Sequence, residues 1–325
     1  MKAKSCIGAA VLLATVTGAM AQEKITFLTS WRAQAEHGGY YQALVKGFYK
    51  ECGVDLTIRM GGPGIDTAQL LTGGAVDFAM TSQSDATLHM NAAGFPARAL
   101  MAAFQISPQI LMAHPDSGVN SFEDMKGKAI MISQGSRATF WPFFQKRYGW
   151  QDTQLRSYTG QLAQWLNDKN SIQQGLATNE PFLVRQQAGW DPKVFMLSDA
   201  GYLSYGSVLT TSQTFIDKKP AATQCMVSAS VKGWNDFLNG DPRPGLEAIK
   251  KDAPNNTDEL MANTIKVMKE RKIVVNADTE KMGFGIMTMD RWKAHHAMLR
   301  ELGLLKSDVD ISKAVDLKFV RNVPK

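Results

Sequence analysis

The side chains of this chain that could recognise or transform a small molecule fall in short polar runs rather than in one motif. The runs are Ser30-Trp31-Arg32-Ala33-Gln34-Ala35-Glu36-His37, Gly61-Gly62-Pro63-Gly64, Thr81-Ser82-Gln83-Ser84, Ser133-Gln134-Gly135-Ser136-Arg137 and Thr178-Asn179-Glu180-Pro181. Trp31 offers a flat apolar face for stacking, and Tyr40 and Trp141 are further wall material of the same kind. His37 could donate a hydrogen bond to a ligand or orient its own loop. Ser82 and Gln83 supply small polar contacts, and Gly135-Ser136 ahead of a helix could cradle an anion or an amide, or simply cap the helix. Glu180, just before Pro181, could accept hydrogen bonds from a ligand amino group or complement the helix dipole behind it. Tyr202 and Tyr205 stand in a glycine-flanked loop from which one of them could reach a cleft. Hydrolytic signatures are missing: there is no Gly-x-Ser-x-Gly elbow, no His-Glu-x-x-His and no Cys-x-x-Cys, and His295-His296 reads as a solvent-facing pair on an amphipathic helix. The glycine run 61–64 is not a phosphate loop, since no Lys-Ser/Thr pair follows it. No catalytic residue and no metal ligand set is therefore expected, and no cofactor.

These runs share a position: each follows a short apolar segment and precedes a helical one. Lys24–Leu28 and Val54–Ile58 read as strands around an amphipathic helix, Gly38–Cys52. Val76–Met80 reads as the next strand, between helices over 65–71 and 85–93. Arg98–Ala113 is almost continuously strand-like, interrupted at Ser107-Pro108, where proline removes a donor and restricts its predecessor. Further on, 129–133 and 193–197 read as strands, 138–148, 165–175 and 181–188 as helices, and 207–210 as a strand before a largely helical C-terminal third. Strands alternating with helices imply an α/β protein with mainly parallel sheets covered on both faces. In such sheets ligands sit beyond the carboxyl ends of strands, where the polar runs lie. One crossing at 107 and a return near 199–206 predict two lobes, 22–107 plus 202–325 and 108–201, joined by two hinge connections that let them close on a ligand.

The composition suits that architecture. The chain has 325 residues, 44% apolar and 20% charged, with a formal net charge of +6, which excludes disordered, collagenous and disulfide-framework classes. No block of like charge and no basic run interleaved with aromatics points to nucleic acid. Lys2 and Lys4 precede an apolar run ended by Ala19-Met20-Ala21, the pattern of a signal peptide over residues 1–21. That run is shorter than the ~20 apolar residues of a membrane span, so a soluble, exported chain is expected. Cys6 leaves with the leader and lacks the context of a lipid-acceptor cysteine. Cys52 and Cys225 could pair in an oxidising compartment, but no local pattern links them, and two free thiols in helices is the simpler reading.

Residues 24–28 with Trp31 and His37, then Lys46-Gly47-Phe48-Tyr49-Lys50-Glu51 and Gly53-Val54-Asp55-Leu56, resemble the opening of the periplasmic substrate-binding proteins related to thiamine pyrimidine synthases and to sulfonate and nitrate importers. Leu70–Phe78, Ala93-Gly94-Phe95-Pro96, Ser121–Lys128, Gln173–Pro181 and Phe215–Pro220 continue the likeness over nearly all of 24–320. The resemblance implies a type II, two-lobed periplasmic binding protein that hands a small molecule to an inner-membrane ABC permease. A monomer is the default for such a receptor. It also implies cleft roles for Trp31, His37, Ser82, Gln83, Gly135, Ser136 and Glu180. The fungal synthases of this fold carry a cofactor lysine just after the Val-Asp strand; Thr81 stands there here, and Leu203-Ser204-Tyr205-Gly206-Ser207 replaces their cysteine run, so synthase chemistry is not expected. Trp31, Tyr40, Trp141 and Glu180 favour a nitrogen heteroaromatic ligand such as a thiamine pyrimidine precursor. The alternatives are an organic sulfonate, nitrate or similar anion held near Arg137 and, in another class, a secreted pyrimidine-modifying enzyme on the same scaffold.

Overall fold

The structure, a computed structural model, describes residues 22–305 and 307–323. The expected signal peptide, 1–21, lies outside the described residues. In chain order the strands are β1 (Glu23–Leu28), β2 (Val54–Arg59), β3 (Phe78–Gln83), β4 (Ala97–Phe104), β5 (Gln109–Ala113), β6 (Ile130–Met131), β7 (Leu155–Arg156), β8 (Ile172–Leu176), β9 (Lys193–Met196) and β10 (Gly206–Ser212). They form two five-stranded sheets, ordered β2-β1-β3-β10-β4 and β7-β6-β8-β5-β9. β1 pairs parallel with β2 and β3, and β10 lies antiparallel between β3 and β4. β6 pairs parallel with β7 and β8, and β5 lies antiparallel between β8 and β9. Each sheet is thus mixed: four strands share a direction and one runs against them. The reversed strand is in both cases the first one laid down after the chain arrives from the other sheet. This is the two-lobed periplasmic binding protein fold of type II.

Each sheet is sandwiched by helices because its strands are apolar on both faces. β5 is buried at every position, and β4 at all but Arg98. In the first lobe Phe27, Phe78, Met80 and Leu100 pack against Trp234 and Phe237 of the long helix Pro220–Asn239. In the second, Leu111 and Ile130 pack against Phe140, Phe143 and Phe144 of helix Phe140–Tyr148. Burying a large side chain of this kind contributes roughly 1.5–3 kcal/mol, so the aromatic-rich helices fix how each sheet is covered.

The expected helix Gly38–Cys52 is broken at Gly47, φ +77, into Gly38–Val45 and Phe48–Glu51, and two further segments depart from the sequence reading. Residues 165–175 were expected to be helical, but the helix is only Ala163–Leu166, and Ile172–Leu176 forms β8 in the middle of its sheet. A strand covered on both faces shows no alternation, and its apolar spacing cannot be told from a helix segment. His295, expected to face solvent, is buried against the Tyr202 ring at 5.6 Å, while His296 is half-buried. Loss of hydration pushes the His295 imidazole down to about 4, so it is neutral in the fold.

Cys52 and Cys225 are bonded to each other, which overturns the expectation of two free thiols. Cys52 ends the short helix Phe48–Glu51, Cys225 lies in helix Pro220–Asn239, and the packing of these helices brings their Cα atoms to 5.5 Å. The bridge closes a loop of 173 residues and restricts the unfolded chain accordingly. Reduction, or Cys225→Ser, is expected to lower the unfolding free energy by about 2–4 kcal/mol, read from urea titrations as a lower midpoint with a steeper slope, since the unfolded chain then expands.

Candidate functional site

Between the sheets lies a cavity of about 690 Å³. Its walls come from the segments that leave the carboxyl ends of the parallel strands, where backbone groups are free of the ladder. From the first lobe come Trp31 and Gln34 after β1, Asp66 and Gln69 after β2, Ser82 at the end of β3, and His89. From the second come Ser133 and Ser136 after β6, Tyr158 after β7, Gln174 on β8, and Glu180 at the start of helix Glu180–Ala188. Gln109, the first residue of β5, closes the side next to the connection between sheets.

Two glycines permit this arrangement. A Cβ on Gly175 would lie 2.9 Å from Cβ of Glu180, so only glycine lets the glutamate fold over β8. Gly160, at φ +74, approaches the Trp31 indole so closely that a Cβ would lie 3.0 Å from Cζ2. Its left-handed backbone adds a second reason for glycine there.

The Trp31 and Tyr158 rings meet across the cleft with centroids 5.8 Å apart and planes 42° to one another. Glu180 turns back on its own loop, its Oε2 accepting the Leu176 N–H at 2.6 Å. Removal from water pushes its carboxyl up to about 7; the Leu176 N–H pulls the other way, and the Glu36 charge adds to the rise. Glu36 is buried and accepts the Thr178 hydroxyl at 2.5 Å, a bond that joins the two lobes. Its carboxyl is likewise raised by burial, against the Thr178 bond that lowers it. Burial, with the Glu180 charge beside it, also holds the Tyr158 hydroxyl above its usual range, against the Arg32 charge that lowers it. The ionisable side chains on the cavity wall are Asp66, His89, Tyr158 and Glu180; among the described residues no Lys or Arg lines it.

Of the residues singled out from sequence, Trp31, Ser82, Gly135, Ser136 and Glu180 stand on this wall. His37 instead lines a small annex of about 40 Å³ beside it. Tyr40 is buried in the first-lobe core, its ring on Phe27 and Trp234. Gln83 is buried and bonded to the Tyr202 hydroxyl at 2.9 Å. Trp141 is buried in the second-lobe core with its indole N–H donated to Asp152 at 2.8 Å. Tyr205 is buried under the Arg291 guanidinium, 3.8 Å from its ring centre, and accepts the Thr288 N–H at 2.9 Å. Arg137, the candidate anion partner, donates to the Arg156 carbonyl at 3.2 Å and is not on the wall. Tyr158, Gln109, Gln174 and Asp66 were not anticipated. Of these only Asp66 carried a signal, as the N-cap of helix Thr67–Thr72, where it accepts the Ala68 and Gln69 N–H groups.

The raised Glu180 carboxyl makes a pH prediction. A carboxyl whose pKa is higher folded than unfolded destabilises the fold only when ionised: nothing is lost below about 4.5, the penalty grows up to about 7, and it is complete above that. Glu180→Gln should therefore gain stability relative to the wild type between these pH values, by on the order of 2 kcal/mol at pH 8, and match it at pH 4. Parallel urea titrations across that range measure the difference.

The sequence profile of the family described as NMT1/THI5 like matches residues 34–243, well over half of the chain. The riboflavin-binding protein RibY of Chloroflexus aurantiacus is 24% identical over 307 residues, spanning 92% of this chain and 86% of that one. The 4-amino-5-hydroxymethyl-2-methylpyrimidine phosphate synthase of Schizosaccharomyces pombe is 31% identical, but over 111 residues only, 34% of this chain and 32% of the synthase. Among solved structures, the periplasmic aliphatic sulphonate binding protein SsuA of Escherichia coli superposes with a TM-score of 0.65 at 12% identity, covering 91% of this chain and 92% of that one. The profile runs from the polar loop after β1, through the hinge and the whole second sheet, to the long helix that covers the first, and this protein is accordingly a member of the NMT1/THI5-like family.

Proposed function

We propose that this protein is the periplasmic solute-binding component of an ABC importer, that its ligand is a small nitrogen heteroaromatic such as a thiamine pyrimidine precursor, and that it binds without transforming it. What supports the ligand class is one property of the cavity: it pairs the aromatic walls Trp31 and Tyr158 with the carboxyl of Glu180, and among the described residues no Lys or Arg stands on its wall. A sulfonate or nitrate needs a basic or N–H-rich cradle to replace its hydration, whereas a flat ring with amino groups needs stacking faces and acceptors. Riboflavin, which the name of the Chloroflexus relative says that protein binds, belongs to the same chemical class. A cavity of about 690 Å³ is in the usual range for a ligand of that size.

The partner implied is the inner-membrane permease, and the ligand reaches it in the closed cleft. The binding role, rather than synthase chemistry, is supported by Thr81, a buried residue of β3 at the place where the related synthases keep their cofactor lysine. A hydroxyl there forms no Schiff base.

A thermal-shift screen with aminopyrimidines, riboflavin, taurine, an alkanesulfonate and nitrate tests the ligand class, because a compound that binds only the native state raises its melting temperature. A shift with a heteroaromatic and none with the anions is expected, and Trp31→Ala should weaken that binding by about tenfold or more. A shift confined to a sulfonate or nitrate would overturn the ligand class. Recovery of a chemically altered compound from the incubated complex would overturn the binding-only role.

A further inference from the structure

Behind the main cavity, against the hinge, lies the annex of about 40 Å³. Ser30, Gln34, Ser82, Gln109 and Leu176 line both spaces, so the annex is a side chamber of the cleft. Its remaining wall brings Glu36 and His37 from the loop after β1 to face the two connections between the sheets, Ser107-Pro108 and the start of β10. Ser207, on that start, has φ +49 and is passed over in the ladder, where Gly206 and Val208 pair with β3 and β4 on either side of it. A non-glycine residue held in the left-handed region is unusual enough to mark a site where the fold over-determines the backbone.

The polar atoms around the annex are unusual in a second way. Glu36, His37 and Gln109 are 1%, 1% and 7% exposed, yet Oε2 of Glu36, both ring nitrogens of His37 and Oε1 of Gln109 have no hydrogen-bond partner within the protein. The other Glu36 oxygen is already engaged by Thr178. Buried groups of this kind are almost always satisfied, and each one left unpaired costs about 1–3 kcal/mol. Burial keeps His37 neutral, its pKa pushed down to about 3, so its ring offers one donor and one acceptor. With the Glu36 carboxyl ionised, the unpartnered buried atoms offer three acceptor positions and one donor, beside the hydroxyls of Ser30, Ser82, Ser107 and Ser207 and the Gln34 amide, around a space the size of one water or one small substituent.

We infer that the annex is a subsite for a hydrogen-bond-donating substituent of the bound ring, an amino or hydroxymethyl group, whose protons satisfy Glu36 and Gln109. The inference rests on the heteroaromatic reading of the main cavity and adds to it a second point of recognition, separate from Glu180. A ligand that carries hydrogen or methyl at that position leaves the acceptors unpaired and binds more weakly.

The test is a chemical double-mutant cycle. The affinities of a methylpyrimidine, its amino derivative and its amino-hydroxymethyl derivative are measured calorimetrically on the wild type and on Glu36→Gln. The variant keeps an oxygen for the Thr178 hydroxyl and replaces the free acceptor by a donor. It should weaken one donor-bearing compound roughly tenfold while changing the compound that lacks that donor by less than about twofold. Gln109→Leu should show the same discrimination, and it serves if Glu36→Gln fails to fold. Equal losses for all three compounds, or no loss, would overturn the subsite while leaving the heteroaromatic reading intact. If none of the three binds the wild type, the pyrimidine reading fails and a crystal structure of the ligand-free protein decides the annex. An ordered water within hydrogen-bond distance of Glu36 Oε2 and Gln109 Oε1 would sustain it as a donor-taking chamber, and a dry or collapsed chamber would overturn it.

Discussion

Everything in this molecule depends on both connections between its sheets running side by side. β10 is hydrogen-bonded to β4, and β5 to β9, so the chain leaves the first sheet at Phe104 and returns to it at Gly206 on adjacent strands. Two neighbouring short connections form a hinge, because small dihedral changes in both can swing one sheet against the other without breaking either core. The same constraint directs the carboxyl ends of the parallel strands of both sheets into one cleft. The polar loops then have nowhere else to gather.

The cleft is held shut by few groups, each with more than one task. Thr178 donates its hydroxyl to Glu36 across the gap while its carbonyl accepts from Asn263 and from the Thr264 hydroxyl, both at 3.1 Å. Three segments distant in sequence therefore meet at one residue, two positions before Glu180. Trp31 and Tyr158 form the aromatic counterpart of this latch. Burial makes both Glu36 and Glu180 harder to ionise, and the Glu36 charge adds to the rise at Glu180. Arg137, near the cleft in sequence, donates to the Arg156 carbonyl instead of to the cavity.

Much of this was open to a reader of the sequence for a physical reason. Alternating strands and helices with polar runs between them place those runs at strand ends, and strand ends of a parallel sheet are where ligands meet free backbone donors. That rule reaches Trp31, Ser82, Ser136 and Glu180 without coordinates. It does not separate a wall residue from a core residue of the same type. Tyr40 and Trp141 have the chemistry of a stacking surface, but their helices turn them onto Phe27, Trp234 and Trp150. Tyr158 follows a two-residue strand too short to leave a periodic signature, and Gln174 lies on the strand whose two-sided burial disguised it as a helix.

The sequence by itself determined the fold class, the family likeness and the loops from which a binding site would be built, because these follow from local periodicity and from the order of short motifs along the chain. Only the tertiary structure decided which side chains of those loops face the cavity, that Cys52 finds Cys225, that His295 is buried against Tyr202, and that Glu36, His37 and Gln109 surround a chamber with unpaired acceptors. Periodicity reports how a residue sits on its own element. What lies opposite it is set by the packing of elements far apart in the chain, and that packing leaves no trace in the spacing of either one.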